Sequence, residues 1–588
     1  MLRVKLGLLL VSFVCLAIML SGCGGVSGNS QMSGSFTLSA SPSNVSVEQS
    51  GTSQPITVTI TPQNGFSGSV NLSASGLPNG VTAAFNPNPA AATSTLTLTA
   101  SGTAQTGNVT VTITGTSGTA INSTPLGVSV NGPIQSGKIA HVVIIVQENR
   151  SPDNLFQDPV LVNNGADIQN YGYTSNGTKV TLTPVPLVTS YDLGHTHKSF
   201  LDACDYQPAT NSCKMDGADL ISCSPNCPQY PAYQYVQQSD VQPYWTMAEQ
   251  YTFGDRMFQT NEGPSFPAHQ YLLAGTSEVC ATLGECPSGV TNTAWAVADN
   301  PGGNQRQDGS YDAGCLAPPG SFVNFIDTSQ ASPESDTFQL TDALCAEHPT
   351  LTDLLDAGNV SWTYYAAQDG SIWTAPDAIQ HICVPSPAYP SQTSSCSGSD
   401  WNNHVVIEGS GAQILTDIAA GQLPRVSWVI PSGANSDHAA GNKGGGPSWV
   451  ASIVNAIGSS TQYWTQEPTA IIVTWDDWGG WYDHVPPSSI RDSYEYGLRV
   501  PLIVISPYAK PAYVSHANHD FGSILKFVET VFSLGDINGN LYADSRADDL
   551  SDCFNFNQTP LVFTTIQAPL KAEHFLNDKS PPTPPDDY

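Results

Sequence analysis

Two patterns of hydrophobic and polar positions divide this chain. Between residues 34 and 131, apolar residues alternate with Thr or Ser along four short stretches: Pro55–Thr61, Ser69–Ser73, Ser94–Thr99 and Asn108–Ile113. Turns rich in Gly, Pro and Asn, such as residues 76–80, separate these stretches. Alternation with period two predicts strands that bury one face, and short strands at this spacing are typical of a β-sandwich. We therefore predict an all-β sandwich over residues 34–131.

The second pattern begins after a short linker around residues 131–137. Continuous apolar runs predict buried strands at Ile139–Val146, Val426–Ile430, Ala470–Trp475 and Val500–Ser506. Helical patterns fall between or after them, at His269–Ala274, Trp449–Ile457 and Phe521–Leu534. Such an arrangement predicts an α/β domain over residues 138–588, with a mostly parallel sheet between layers of helices. Ligands of such folds bind beyond the carboxyl ends of the strands.

The predicted sandwich and the C-terminal tail contain few residues that could take part in catalysis. Glu48 is the one charged side chain between residues 24 and 137. This segment resembles bacterial immunoglobulin-like domains appended to surface proteins, which implies a spacer or an adhesion module. At the other end, the Pro-rich tail 580–588 contains nothing that could be buried, so we expect it to be disordered.

The first 23 residues have the features of an export signal. Arg3 and Lys5 precede an apolar run at Leu6–Leu20 that is too short to span a bilayer comfortably. The run ends in Leu20-Ser21-Gly22-Cys23, which resembles the lipobox of bacterial lipoproteins. We therefore expect a lipoprotein signal peptide over residues 1–23, lipidation of Cys23 and a membrane-anchored protein in the periplasm or on the cell surface. The alternative is an ordinary signal peptide with an incidental cysteine.

Export changes the interpretation of the cysteines. Of the 13 cysteines, 11 remain beyond Cys15 and Cys23, and all of them lie between Cys204 and Cys553. Disulfides are the default in an oxidising compartment, and an odd number leaves at least one thiol unpaired. Cys223 and Cys227 have a spacing that zinc can use, but no matching second pair follows, which favours a disulfide or a local loop staple.

The charge balance restricts the possible partners. The chain has 18 Lys and Arg against 49 Asp and Glu, a formal charge of −31. No basic face is available to neutralise nucleic-acid phosphates, so we exclude a nucleic-acid partner. Any phosphate chemistry would need a local positive charge, most simply a metal ion.

Polar residues follow two of the predicted strands where each strand ends. Glu148 and Asn149 follow the first strand, and Asp476 and Asp477 follow the strand at Ala470–Trp475. Adjacent carboxylates are costly to bury unless a cation or several donors compensate them. Three carboxylates and an amide oxygen at one edge of the sheet would suit a divalent cation of unknown identity. The alternative is a Glu148–Arg150 salt bridge, with Asp476 capping a turn.

Ser265 adds a possible nucleophile. It lies just before a predicted helix that starts near Pro267, where free N–H groups and the helix dipole favour phosphate and a developing alkoxide. The commoner role of a serine at this position is to cap the helix.

Four motifs, taken in order, now match a known family. They are QENRSPDNLF at 147–156, GPSFPAHQYLLAGT at 263–276, TWDDWGGWYDHVPP at 474–487 and YGLRVPLIVISPYAK at 496–510. Together they resemble the bacterial phosphoesterase family that contains phosphatidylcholine-type phospholipases C and a periplasmic acid phosphatase. The resemblance covers residues 138 to about 534 and implies an alkaline-phosphatase-like α/β fold.

The resemblance also implies roles for individual residues. Glu148 with Asn149 and Asp476 with Asp477 would be metal ligands, and Ser265 would be the nucleophile that also touches the metal. Asp477 could instead orient a neighbour, because adjacent strand residues point to opposite faces.

Two histidines match family positions less securely. His195 and His438 would contact a phosphoryl oxygen or protonate the leaving group. A lone histidine is more often structural, and His269 could simply face the packing surface of its own helix.

The expected activity is metal-dependent hydrolysis of phosphate esters through a phosphoserine, as in an acid phosphatase. Where phospholipase-type members have phenylalanine and histidine, this chain has Pro152 and Asn154, and Ser265 replaces the threonine common among them. One alternative is a phospholipase C that cleaves phosphocholine-type lipids, favoured by a lipid anchor. Another is a surface binding protein in which the second domain is an inactive scaffold.

Overall fold

A computed structural model describes residues 34–135, 137–207, 212–277, 296–297, 313–326, 338–341, 345–388, 395–409, 412–487, 496–539 and 541–582. The predicted signal peptide with Cys23 lies outside these residues, and so does the end of the tail, residues 583–588. In the described part of the chain, no helix is long and apolar enough to cross a membrane.

The N-terminal region consists of strands, as the alternating pattern predicts. The strands are β1 (Ser35–Ser41), β2 (Asn44–Glu48), β3 (Ile56–Gln63), β4 (Asn71–Ser75), β5 (Val81–Asn86), β6 (Thr93–Ala100), β7 (Gly107–Ser117) and β8 (Ala120–Asn131). They form two four-stranded sheets, ordered β1-β3-β6-β5 and β2-β8-β7-β4, in which β2 and β8 are the parallel pair. One hydrophobic cluster joins residues of both sheets, because alternate side chains of each strand face inward. The immunoglobulin-like classification stays a prediction.

The second region is built on a nine-stranded sheet. Its strands are β9 (His141–Gln147), β10 (Thr252–Phe258), β11 (Trp362–Ala366), β12 (Val405–Ile407), β13 (Val426–Val429), β14 (Thr469–Trp475), β15 (Arg499–Ile505), β16 (Tyr513–Ser515) and β17 (His519–Asp520). The order is β12-β11-β13-β9-β14-β15-β10-β16, and β17 also pairs with β10. Only β15 runs antiparallel to its neighbours in this sheet. The expectation of a mixed α/β domain with a mostly parallel sheet is therefore confirmed.

Helices cover the sheet. Those described are α1 (Pro152–Leu155), α2 (Pro159–Asn163), α3 (His197–Cys204), α4 (Gln238–Gln250), α5 (Ser265–Ala274), α6 (Leu351–Ala357), α7 (Ser399–His404), α8 (Gln413–Ala419), α9 (Gly446–Gly458), α10 (Phe521–Phe532) and α11 (Ala572–Asn577). Helices α4, α8, α9 and α11 pack together, and α5 packs against α6 and α10. Every residue of β9 and β14 is buried, so both faces of the central sheet are covered.

The sequence patterns missed five strands of this sheet: β10, β11, β12, β16 and β17. β10 reads TFGDRMF, which places a glycine and two charged residues in a buried strand. The pairing of β10 with β15 shifts register between Gly254 and Met257, so Asp255 lies at an irregularity, where its carboxylate contacts His516 at 2.8 Å. Because of this irregularity, the sequence of β10 does not show the regular alternation of apolar and polar residues by which a strand is recognised.

Cysteine pairing follows the prediction for Cys223 and Cys227, which form a disulfide. Three further disulfides lie in the described residues: Cys204–Cys213, Cys315–Cys345 and Cys383–Cys396. Cys553 is a free, buried thiol.

Candidate active site

The two predicted ligand pairs lie side by side because β9 and β14 are parallel neighbours. Trp475 pairs with Gln147, so both strands end at the same level of the sheet. Backbone hydrogen bonds continue beyond the strands, from Asp476 N–H to the Gln147 carbonyl at 3.0 Å and from Arg150 N–H to the Asp477 carbonyl at 2.9 Å. The structure therefore holds Glu148 and Asn149 next to Asp476 and Asp477, and all four are fully buried.

Asn149 adopts a left-handed backbone conformation, which residues other than glycine seldom adopt, although asparagine tolerates it better than most. Its φ of +62° lies in the left-handed region, and its N–H donates to Asp476 Oδ1 at 3.0 Å. Strained conformations of this kind concentrate at functional sites. The turn directs the Asn149 side chain toward His195, whose Nε2 lies 3.2 Å from the amide nitrogen Nδ2.

The hydrogen bonds define the tautomer of His195. Its Nδ1 lies 2.8 Å from the Leu193 carbonyl, which can only accept, so Nδ1 carries the proton. Nε2 then accepts from the Asn149 amide, and the Asn149 oxygen Oδ1 faces away from this bond with no partner among the described residues. His195 therefore fixes the orientation of the Asn149 amide, with its nitrogen toward the imidazole.

Ser265 is the first residue of α5, after Pro264 at the N-cap. Its hydroxyl donates to Asp477 Oδ2 at 3.2 Å, so the side chain does not cap the helix. Asp477 Oδ1 accepts from Gly479 N–H at 2.6 Å. Both oxygens of Asp477 thus have partners, and this carboxylate orients the serine hydroxyl.

His269 belongs to this site, although the sequence left it as a packing residue. Its Nε2 lies 3.3 Å from Glu148 Oε1 and 3.9 Å from Asp476 Oδ2. Residues four apart lie on one face of a helix, so the spacing from Ser265 was the available signal. Burial lowers the pKa of His269 to about 4, although Asp476 opposes the shift, and the ring is therefore neutral at pH 7.

The donor set fits a hard divalent cation. Both oxygens of Glu148, Oδ1 of Asn149 and Oδ2 of Asp476 are buried and accept no hydrogen bond within the described part of the chain. Ligand atoms of Glu148, His269 and Asp476 lie within 4.8 Å of one another. Burial, together with the neighbouring Asp476, raises the pKa of Glu148 and of Asp477 well above the usual range. A cation would remove this repulsion, since it favours the charged forms.

Arg150 does not pair with Glu148, so the alternative of a salt bridge between them is wrong. The Arg150 Nε donates to the Asp437 carbonyl at 2.8 Å, and one terminal nitrogen donates to the Leu187 carbonyl at 3.2 Å. These bonds hold the segment before His438 against the end of β9.

His438 has the free nitrogen that His195 lacks. Its Nδ1 lies 2.7 Å from the Ala439 carbonyl, while its buried Nε2 has no partner in the residues that the structure describes. The two imidazole rings lie 5.6 Å apart, and Trp373 lies 6.0 Å from His438 on another side. Of the two rings, His438 is thus the one with a nitrogen available for proton transfer.

The two glycines after the aspartates are required by the backbone. Gly479 has a φ of +63°, and a Cβ at this position would lie 2.2 Å from the Asn149 carbonyl oxygen. Because Gly479 has no side chain, the loop can turn closely over the end of β9, and the Gly479 N–H can donate to Asp477.

A buried network of charges holds the end of this loop. Arg499 donates to both oxygens of Asp483, at 2.8 and 3.0 Å. His484 lies between two carboxylates, with Nδ1 2.7 Å from Asp153 and Nε2 2.9 Å from Asp167. Burial lowers the pKa of His484, but Asp153 and Asp167 outweigh it and raise the pKa to about 9.

His484 should make stability depend on alkaline pH. Because the pKa of His484 is higher in the folded protein than in the unfolded chain, protonation of His484 stabilises the fold. This stabilisation is complete below pH 6.5, the pKa in the unfolded chain, and is lost as pH rises through about 9. We expect the free energy of unfolding to fall by about 3 kcal/mol across this window, since one pKa unit corresponds to ~1.4 kcal/mol. Urea unfolding of the protein and of His484→Gln at pH 6 to 9.5 measures the difference. His574→Gln, at an exposed histidine, should follow the unchanged protein. Parallel pH curves for His484→Gln and the unchanged protein would contradict the assignment.

Comparison with known proteins agrees with the resemblance. The sequence profile of the Phosphoesterase family matches residues 139–535. A hemolytic phospholipase C of Pseudomonas aeruginosa is 24% identical over 498 residues, which cover 75% of this chain and 60% of that protein. Phospholipase C B of Mycobacterium tuberculosis is 30% identical over 167 residues, covering 24% of this chain and 32% of that protein. A non-hemolytic phospholipase C of Burkholderia pseudomallei is 29% identical over 170 residues, covering 24% of each chain. The chain therefore spans less than two thirds of the length of these relatives.

Proposed function

We propose, because the chain belongs to the Phosphoesterase family, that this protein is a hydrolase of phosphoester bonds that uses a divalent cation and a phosphoserine intermediate on Ser265. The observation that carries the proposal is a group of buried oxygens on Glu148, Asn149 and Asp476 that have no hydrogen-bond donor among the described residues. They lie close to a serine at a helix N-terminus. Such a group is too costly to bury without a ligand, so its purpose is binding.

The residues of the proposed active site have different roles. Glu148, Asn149, Asp476 and His269 would hold the cation, which supplies charge stabilisation at a phosphoryl group. Asp477 holds the Ser265 hydroxyl and accepts its hydrogen bond, which orients the oxygen for attack. The first N–H groups of α5 stabilise negative charge as it develops on the oxygens.

Each proton that moves in the proposed reaction is returned over two steps. In the first, Ser265 Oγ bonds to phosphorus, its proton passes to Asp477, and the bond to the leaving group breaks as His438, entering this step as an imidazolium with a proton on each ring nitrogen, gives its Nε2 proton to that group. In the second, water attacks phosphorus and gives a proton back to His438, while the Ser265–phosphorus bond breaks and Asp477 returns the serine proton. His195 acts through Asn149, because its Nε2 already accepts from the amide.

Phosphate monoesters are the leading substrate class. Ser265 supports this choice, since it resembles the acid-phosphatase branch of the family. Asn154 adds support: its amide oxygen accepts from Arg150 at 3.2 Å and its nitrogen donates to the Gln234 carbonyl at 2.9 Å. The asparagine therefore has a structural role where phospholipase-type members have a histidine. The second candidate is cleavage of phospholipids, which the names of the relatives favour.

Initial rates on para-nitrophenyl phosphate and para-nitrophenyl phosphorylcholine separate the two candidates. The full chain is assayed with each, with Ser265→Ala protein as the blank. We expect the monoester to react faster. A faster choline ester would replace the monoester with a phospholipid-type substrate, and no rate above the blank on either would favour the binding-protein alternative.

Location is a further part of the proposal. We infer an exported lipoprotein attached at Cys23, with the predicted sandwich as a spacer between membrane and enzyme. The disulfides of the described residues support an oxidising compartment. Globomycin-sensitive processing and labelling of Cys23 by a fatty-acid analogue would test the anchor.

A further inference from the structure

A second group of buried carboxylates lies at the far end of the helix that carries Ser265. Helix α5 ends at Ala274, and the Gly275 carbonyl accepts from Ala543 N–H at 3.1 Å. Asp544 follows and lies beside Gly275. The carbonyl end of a helix carries a partial negative charge, so this position disfavours an uncompensated carboxylate.

Asp544 has two acidic neighbours. Oxygens of Glu529, on α10, and of Asp536, on the loop after it, lie within 4.8 Å of Asp544 and of each other. Among the described residues, Lys526 is the cation that contacts this group, with Nζ 3.1 Å from Glu529 Oε2 and also bonded to Asp536. With all three groups ionised, three carboxylates against this one ammonium leave an excess of two negative charges among the described residues.

Individual oxygens show that the group is incomplete. Glu529 is 2% exposed and Asp544 is fully buried, yet Glu529 Oε1 and Asp544 Oδ1 accept no hydrogen bond from any donor among the described residues. The other Asp544 oxygen accepts from Ile537 N–H at 3.0 Å, which fixes the carboxylate. Buried acceptors without donors are rare in native proteins and call for a ligand or a proton.

We propose that Glu529, Asp536 and Asp544 form a calcium site, separate from the active site. All the ligands are oxygens, and calcium accepts six to eight oxygens in irregular geometry, including waters on an open side. Asp536 is partly exposed and provides that side.

The bound ion would join three elements of the fold. It would connect α10 and the segment around Asp544 to the carbonyl end of α5, whose other end presents Ser265. Calcium would therefore stabilise the helix that carries the nucleophile without contacting the substrate.

Equilibrium dialysis against ⁴⁵Ca²⁺ tests this site. The protein is compared with Asp544→Asn, which keeps an oxygen for Ile537 N–H, and with Asp536→Asn, which changes a partly exposed side chain. We expect each variant to bind one calcium fewer per chain, or to bind it at least about tenfold more weakly, since one charged ligand is lost. The exposed Glu573→Gln should bind as the unchanged protein does.

The same measurement in a Glu148→Gln/Asp476→Asn background separates this site from the proposed active site. Calcium that persists there and disappears on adding Asp544→Asn supports the proposal, whatever the hydrolytic activity. Asp544→Asn or Asp536→Asn protein that is folded by circular dichroism and keeps its full calcium overturns it. An absence of calcium in the background double variant also overturns it, and leaves Lys526 and a proton as the compensating charges.

Discussion

Replacing Ser265 with alanine is expected to lower kcat by about 10³- to 10⁶-fold, as removal of a nucleophile does in other hydrolases with covalent intermediates. The substitution removes one oxygen from a side chain that is 1% exposed and leaves Asp477 with its bond from Gly479. Binding of inorganic phosphate should change little, because the cation ligands and the N–H groups of α5 remain.

Steady-state kinetics and acid-quenched mass spectrometry check this expectation. The unchanged protein should show a phosphorylated peptide containing Ser265 during turnover, and Ser265→Ala should not. Ser452→Ala removes another buried hydroxyl, one that donates only to the Ser448 carbonyl within α9, and should retain full kcat. A Ser265→Ala protein with unchanged kcat would show that the nucleophile lies elsewhere.

Replacing Glu148 with glutamine is expected to change activity and stability in opposite directions. The amide removes one negative ligand from the cluster, so kcat should fall by roughly 10²- to 10⁴-fold and bound divalent metal should be lost. Without metal, the variant should be more stable than the unchanged protein at pH 7, by roughly 1–3 kcal/mol, because an uncompensated buried carboxylate is removed.

The sign follows from the raised pKa of Glu148. Burial and Asp476 favour the protonated form in the folded protein, so the metal-free state loses stability as pH rises above 4.5, where the unfolded chain ionises first. Elemental analysis and urea unfolding, each with and without EDTA, measure the two effects. Glu467→Gln, at a partly exposed carboxylate, serves as the control. A metal-free Glu148→Gln protein that is less stable than the unchanged protein would mean that Glu148 is held by donors rather than by a cation.

The two predictions depend on a site of which the sequence identified a large part. Glu148, Asn149, Asp476 and Asp477 were recognisable because each pair follows an apolar run, and carboxyl ends of parallel strands meet at one edge of a sheet. Ser265 was recognisable because it precedes a helical pattern. The structure places all of these residues together, while their catalytic roles stay predictions.

The sequence did not separate the members of these pairs. Asp476 faces His269 and Glu148, whereas Asp477 holds Ser265 and Gly479. His195 and His438 looked equivalent, yet of the two only His438 has a ring nitrogen without a partner in the part of the chain that the structure describes, since His195 accepts from Asn149. Such differences depend on where each side chain points after the strand has ended. Beyond that point, residues no longer alternate between the two faces of the sheet, so the sequence does not predict their directions.

By itself, the sequence determined the all-β N-terminal region, the α/β character of the rest, and the edge of the sheet where acidic residues collect. These features follow from local periodicity and from strand ends, which adjacent residues encode. Only the tertiary structure decided that His269 joins the cluster, that β10 with its buried Asp255 belongs to the central sheet, and that Glu529 and Asp536 meet Asp544 beside Gly275. Each depends on contacts between distinct elements of the fold, and the stability of a buried charge is set by those neighbours rather than by its own segment.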